Sequence, residues 1–477
     1  MDWYKEVEAR KDDLIKDLVR LLEFESIKDL TTSEPGKPMG TTISDALEFM
    51  LERCSKEGFM TKNIEGYAGY AEHKTSNSDN YIGVLCHIDV VPATGEWTSP
   101  PFEPTIRDGK LYARGAIDDK GPTMAAFYAL KLIKDLNLPL KTNVRLIFGT
   151  DEESGMSCMK KYEQVEKMPV AGFAPDAVFP IIHAEKGQIN VFLSMENATI
   201  TDDPGNRDHS YELLSFTAGT KGNMVPEIAK ATIIGDIASI SQEFKSYCSD
   251  HKLSCNSSIT NEGITLTLYG KSVHGMEPQN GINAGLNLAH FLSSYSFQKE
   301  ANQYLQFIDQ YLYDDYVGSR LEISHSDEVT GPLTVNAGIF HFEMGERVKV
   351  QLNIRCPVTT PYLRTVEILG EKTAHFGFSI DEIREKKPHH VDKKHPMIQV
   401  LQKVYHEETS EEPTLLSTGG ATYARFMKNG VAFGAVFPGK EMSAHQIDEY
   451  IEIEDLLKAT AIYARAIYEL GNLDFEE

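Results

Sequence analysis

The chain has 477 residues, 41% of them hydrophobic and 25% charged, which fits a folded globular protein and excludes collagen, coiled coil and long disorder. That length suggests about two to four domains. Forty-seven basic against 71 acidic side chains leave a formal charge of −24, so the surface repels nucleic acid and anionic membranes and favours cations.

Residues 2–24 pattern as an amphipathic helix, with Val7, Leu14, Leu18, Leu21 and Leu22 on one side. A second helix is predicted over 43–57, with Thr42 or Ser44 as N-cap and Gly58 as its stop. The apolar run 81–87 (YIGVLCH) reads as a buried strand, 118–136 as a helix, and 143–148 (NVRLIF) as another buried strand. Apolar strands alternating with helices argue for an α/β layer with a mainly parallel sheet. After Gly187 the texture becomes α+β. Strands are predicted at 189–195, 211–218, 231–235, 263–269 and 346–355, and helices near 236–250 and 281–294. The basic stretch 384–395 (REKKPHHVDKKH) reads as a linker, so His389, His390 and His395 are assigned to a solvated hinge. A helix over 396–406, a strand over 431–437 and a final amphipathic helix over 453–470 close the chain. The expected architecture is a discontinuous α/β domain, 1–186 with 388–477, carrying an inserted α+β domain, 187–387, with room for two small units. Six cysteines without a CxxC pair read as reduced thiols. The charged N-terminus offers no signal peptide, and no run of about 18 apolar residues occurs, so a cytoplasmic location is expected.

Ligands in open α/β sheets gather at the carboxyl ends of strands. Here those ends carry His87 and Asp89, then Glu152 and Glu153, Asp176, and His445, while Asp118 and Asp119 precede a helix. Taken singly, each is ordinary. His-x-Asp recurs by chance, Asp-Asp before a helix is usually a cap, and Glu-Glu after a strand is usually solvated. Together, two imidazoles and several carboxylates without a thiolate suit Zn²⁺, or Mn²⁺ or Co²⁺. The carboxylates suffice for two ions that share one of them, and adjacent glutamates let one bind metal while its neighbour faces a water.

The stretches CHIDVVPATGEWTSPPFEP, DGKLYARGAIDDKGP, GTDEESG and SAHQIDE resemble the dinuclear zinc peptidases that include aminoacylase-1, carboxypeptidase G and succinyl-diaminopimelate desuccinylase. Overall length and insert size are most similar to the PepV-type dipeptidases. The resemblance implies that His87 and Asp176 hold one metal, that Glu153 and His445 hold the other, and that Asp118 bridges them through a cis Asp118–Asp119 peptide. It implies Asp89 as the carboxylate orienting His87, and Glu152 as the general base. It makes the insert a lid of two ferredoxin-like units. In that lid His274 (SVHG) would stabilise the oxyanion, Asn223 would contact substrate, and Arg355 would grip a terminal carboxylate. Gly420, in TGGA, would line the fixed side of the pocket, with a plain turn as the ordinary reading, and Trp97 is assigned to packing. The implied activity is hydrolysis of dipeptides by a monomer, since members with a doubled lid are typically monomers. The alternatives are an N-acyl amino acid deacylase or desuccinylase, and a non-catalytic metal-binding protein on the same scaffold.

Overall fold

The computed structural model describes residues 1–196 and 210–475. They form two compact units, residues 1–184 with 390–477, and residues 185–389.

The first unit is built on a nine-stranded mixed sheet. Its centre is parallel: Asn143–Gly149, Tyr81–His87, Ala171–Ala174 and Gly430–Ala432 lie side by side in that order. Met60–Ile64 and Ala68–His73 extend one side as antiparallel neighbours, and Ile181–Glu185 pairs antiparallel on the other. The Tyr81–His87 strand is buried at every position, which is why it reads as an unbroken apolar run rather than an alternating one. Helices Lys120–Asp135 and Ile453–Gly471 pack against the sheet through Met124, Phe127, Leu130, Leu456, Tyr463 and Ile467, all buried in one core.

Several local readings change. The single helix expected over 2–24 is two, Trp3–Glu8 and Lys11–Leu22. The helix Thr41–Lys56 starts after Gly40 with no side-chain cap, so neither Thr42 nor Ser44 caps it. The strand expected over 431–437 is two short pieces, Gly430–Ala432 and Ala435–Val436, because the chain turns at Gly434 (φ 82°) and pairs with two different neighbours. The 384–395 stretch is not a solvated hinge. Its start lies in the strand Ser379–Lys386, His389–His390 joins the edge of the nine-stranded sheet, and the His395 side chain accepts from Met397 N at 3.2 Å to cap Pro396–Thr409. Its charge marks an exposed edge strand, which composition alone cannot distinguish from a linker.

The second unit carries an eight-stranded sheet in which every neighbouring pair is antiparallel. From edge to edge the strands are Ser254–Thr260, Gly263–Tyr269, Ile228–Ile234, Glu212–Ala218, Thr334–Glu343, Val348–Cys356, Gly187–Met195 and Ser379–Lys386. One sheet face packs on helices Ile237–Asp250, Ala284–Ser293, Lys299–Tyr311 and Tyr362–Ala374 through Val191, Ile233, Leu266, Leu352 and Ile354. The strands at 254–260, 334–343 and 379–386 and the helices at 299–311 and 362–374 lie outside the elements expected from sequence. Ser254–Thr260 explains the omission: as an edge strand it is mostly polar and exposed, with no apolar run to read.

Candidate metal centre

The parallel centre of the first sheet brings its strand ends together. Glu152 and Glu153 follow Asn143–Gly149, His87 ends its neighbour, and Asp176 follows the next strand. His445 lies beyond Ala435–Val436 in the left-handed conformation (φ 64°). The Asp118–Asp119 peptide is cis, and Asp118 lies just before helix Lys120–Asp135.

Asp118 stands between the two imidazoles. Its Oδ1 is 3.0 Å from His87 Nε2 and its Oδ2 is 3.0 Å from His445 Nε2. On the His87 side, Asp176 Oδ2 lies 3.7 Å from the same Nε2, and on the His445 side Glu153 Oε2 lies 3.1 Å away. The donor atoms of His87, Glu152 and Asp176, and those of His87, Asp118 and Glu153, each fall within 4.8 Å of one another. The five residues expected to hold metal are thus gathered in one place, with Glu152 beside them.

The electrostatics reflect that crowding. Burial alone would lower the His87 pKa, but Asp118 and Asp176 hold it well above the ordinary value. His445, against its own burial, is pushed up to about 11 by Asp118 and Glu153. Burial favours the neutral acids: Glu153 rises to about 7 and Asp176 to about 6, each raised further by the Asp118 charge. Glu152 is pushed well up by burial and then by Asp176, and its buried Oε1 has no hydrogen-bond partner among the described residues. Asp118 alone is held low, because the two histidines outweigh its burial.

The surrounding shell differs from the simplest expectation. His87 Nδ1 meets the main-chain oxygen of Asp89 at 2.9 Å, while the nearer Asp89 carboxylate oxygen is 3.5 Å away. That carboxylate also accepts from Glu152 N and Glu153 N, each at 3.1 Å. Asp89 therefore ties the His87 strand to the glutamate loop. Asp119 Oδ2 accepts from His87 N at 3.1 Å.

Further residues support the centre without having been assigned a role from sequence. The Asp151 carboxylate takes Lys28 Nζ at 2.8 Å and Ser157 N at 3.0 Å, clamping the loop that holds Glu152 and Glu153. Glu449 is fully buried, pairs with the guanidinium of Arg114, and accepts from Ile117 N at 3.0 Å and Asp118 N at 3.2 Å. The Arg114 guanidinium also stacks over Trp97, 5.1 Å from the ring centroid, consistent with packing for Trp97. Tyr423 is buried edge-on to His87, with ring centroids 6.2 Å apart, and a Cβ on Gly149 would meet its hydroxyl at 2.2 Å. Gly149 thus makes room for Tyr423 at the end of the strand. Gly420 N donates to Thr418 Oγ1 at 2.9 Å, the arrangement of a local turn.

Sequence comparison matches residues 83–469 to the model of peptidase family M20/M25/M40. The chain belongs to that family. M20 proteins are metallopeptidases that bind two metal ions, and the His/Asp/Glu cluster is the candidate site for them here. The chain is 46% identical over 472 residues to "Putative dipeptidase YtjP" of Bacillus subtilis (strain 168), covering 99% of this chain and all of that one. It is 38% identical over 470 residues to SH1171 of Staphylococcus haemolyticus, which bears the same designation, covering 98% and 99% of the two chains. Two solved structures share the M20 fold. Human carnosine dipeptidase 1 superposes with a TM-score of 0.56 at 13% identity, covering 99% of this chain and 98% of that chain. Dug1p from Saccharomyces cerevisiae, titled a di-peptidase, gives 0.56 at 13%, covering 98% of each.

Proposed function

We propose that this M20 protein hydrolyses dipeptides, using two divalent cations held by His87 and Asp176 on one side and Glu153 and His445 on the other, with Asp118 between them. The observation that carries the reading is the pair of 3.0 Å approaches from the two Asp118 oxygens to two different imidazoles. The donor set also fits the cations: imidazole and carboxylate without thiolate suit Zn²⁺ first, with Mn²⁺ and Co²⁺ acceptable. Bound there, the ions would polarise the scissile carbonyl and acidify a water.

The chain's own residues do the rest. Glu152 takes a proton from the water and passes it to the leaving amine. Among the described residues no donor competes for its buried Oε1, which supports that role. Asp89, Asp151 and Glu449 hold the loops so that these groups converge. In the inserted unit, His274 stabilises the oxyanion, Asn223 contacts the substrate and Arg355 takes its free carboxylate. Gly420 is left as a turn. The strand order of the insert supports two ferredoxin-like halves. Gly187–Met195, Thr334–Glu343, Val348–Cys356 and Ser379–Lys386 follow the order of a β-α-β-β-α-β unit, and the other four strands follow a permuted one. With that doubled insert the protein acts as a monomer in the cytoplasm. Among the described residues no helix is long and apolar enough to cross a membrane.

The test is Glu152→Gln. Loss of a general base lowers kcat by about a hundredfold or more, with metal content unchanged. Full turnover of Glu152→Gln refutes the base. Activity confined to N-acetyl or N-succinyl amino acids replaces dipeptidase with deacylase.

A further inference from the structure

The polar face of the second unit's sheet carries a row of buried amides whose role nothing above uses. Three neighbouring strands place Asn190, Asn353 and Asn336 directly opposite one another, since Asn190 pairs with Asn353 and Asn353 with Asn336 in register. Asn353 and Asn336 are buried, and period two points them away from the helix-packed face that holds Leu352, Ile354 and Val335. A sheet rarely buries amides in such a row without a task for them, because each unpaired donor or acceptor carries a desolvation cost.

Each amide has specific partners, while Asn336 Oδ1 is buried without one among the described residues. Asn353 Nδ2 donates to Asn190 Oδ1 at 2.7 Å, and Asn353 Oδ1 accepts from Arg355 Nε at 3.0 Å. Asn336 Nδ2 donates to Gly222 O at 2.9 Å and Met224 O at 3.0 Å, the two carbonyls that flank Asn223. One residue pair along, Thr334 Oγ1 donates to Met276 O at 3.2 Å, fixing the loop that contains His274. The two loops are themselves joined, Gly275 N donating to Asn223 O at 2.7 Å. Close approach between the Gly222 segment and the Thr334–Glu343 strand requires glycine at 338, where a Cβ would meet the main-chain oxygen of Gly222 at 2.2 Å.

We propose that the Asn190–Asn353–Asn336 row is the positioning device for the insert's substrate-facing groups, with Asn353 orienting the Arg355 fork and Asn336 setting the Asn223 and His274 loops. These asparagines are positioning residues, acting through Arg355, Asn223 and His274. The proposal rests on the dipeptidase reading, in which Arg355 takes the substrate's free carboxylate. The geometry supports a fork aimed by its Nε. With Nε held by Asn353, the guanidinium plane is fixed relative to the strand, and an Arg fork reads a carboxylate only in the correct plane.

The test compares a dipeptide with its C-terminal amide on wild type and Asn353→Leu, both fully metal-loaded. A hydrogen bond to a charged group is worth enough to change binding by about ten- to hundredfold. Asn353→Leu is therefore expected to raise KM for the free dipeptide by about that factor, with kcat within about threefold. KM for the amide should not change, so discrimination collapses. A purely structural role would alter both substrates alike and lower the melting temperature. Should leucine not fold, Asn353→Thr supplies a smaller acceptor suited to a strand, and a partial loss of discrimination against wild type is the expected result. Wild type that accepts the amide as well as the free dipeptide removes the Arg355 reading and this proposal with it. Wild type that discriminates, beside an Asn353 variant that discriminates equally, overturns the amide row alone.

Discussion

Glu449 offers the sharpest test of how the centre is held together. It is separated from Arg114 by more than 330 residues, yet the two form a buried ion pair, and Glu449 also takes the amides of Ile117 and Asp118. Four residues before it stands His445. One carboxylate thereby fixes the segment carrying Asp118 to the segment carrying His445. Burial, then the Asp118 charge, push the Glu449 carboxyl up, and Arg114 with the Ile117 amide pull against that shift. Replacement by leucine strands a guanidinium whose side chain is only 3% exposed, together with two amides. Breaking a buried pair from one side costs about 3–5 kcal/mol. In a unit of this size each kcal/mol moves the melting temperature by about 2–4 °C. Glu449→Gln leaves one neutral oxygen where the carboxylate served both Arg114 and the two amides, so the fold survives while Asp118 is held less firmly. Loss of such outer-layer support typically lowers metal affinity about 10- to 100-fold. Calorimetry of the metal-free variants measures the first effect and chelator competition the second. Wild-type metal affinity in Glu449→Gln, with an unchanged melting temperature in Glu449→Leu, would refute the reasoning.

Metal binding should release protons. His445 is pushed up to about 11 and His87 well up by neighbouring acids, so both imidazoles carry protons at neutral pH in the metal-free protein and must lose them to act as ligands. Affinity should therefore fall as pH falls, and calorimetric titrations in buffers of different ionisation enthalpy should show net proton release; a result independent of buffer would contradict it. Asp151 provides a stability test in which the pKa shift, unlike those of the histidines, is downward. Burial pushes its carboxyl up, but Lys28, Ser154 and Ser157 outweigh this and hold the pKa below the ordinary value. A depressed folded pKa contributes stability above the unfolded value near 4 that is lost as pH falls through the folded one. Asp151→Asn should therefore cost about 1–3 kcal/mol at neutral pH, and its deficit against wild type should shrink in acid. A constant deficit across that range would show that the charge of Asp151 is not what stabilises the loop.

Much of the first unit is legible because its central strands are buried on both faces. The run 81–87 has no polar position to hide it, and the residue that breaks it, His87, is the one that needs explaining. The supporting shell is harder to read. Asp151 resembles the two acids that follow it, and nothing local shows that its partner is Lys28, 123 residues away. Arg114 and Glu449 lie within segments that resemble the M20 family, but their pairing depends on how the 110–112 and 450–452 strands dock. In the insert, 254–260 and 379–386 are edge strands with exposed polar faces, so the alternation that identifies a strand is weak. The asparagine row is invisible for a related reason: isolated amides in a strand look like surface positions until register sets them opposite one another.

The acids around the centre divide by what satisfies them. Asp89 is met by the amides of Glu152 and Glu153, Glu449 by those of Ile117 and Asp118, and one oxygen of Asp119 by that of His87. Asp89 is met by backbone alone, Glu449 by backbone and the Arg114 guanidinium, and both hold loops. Glu152, Glu153, Asp118 and Asp176 are different: they face one another and two imidazoles. Two like charges about 4 Å apart cost about 4 kcal/mol even at an effective dielectric of 20. The metal-free fold relieves that repulsion by protonation, as the raised pKa values of Glu153 and Asp176 express. A cation relieves it without a proton, which leaves each carboxylate oxygen available as a ligand or a base. The acidity that disfavours nucleic acid at a net charge of −24 is thus gathered locally in a cluster that favours cations. An arrangement needed only for folding would have given these four acids partners of their own, as Asp89 has two amides and Glu449 has two amides and Arg114.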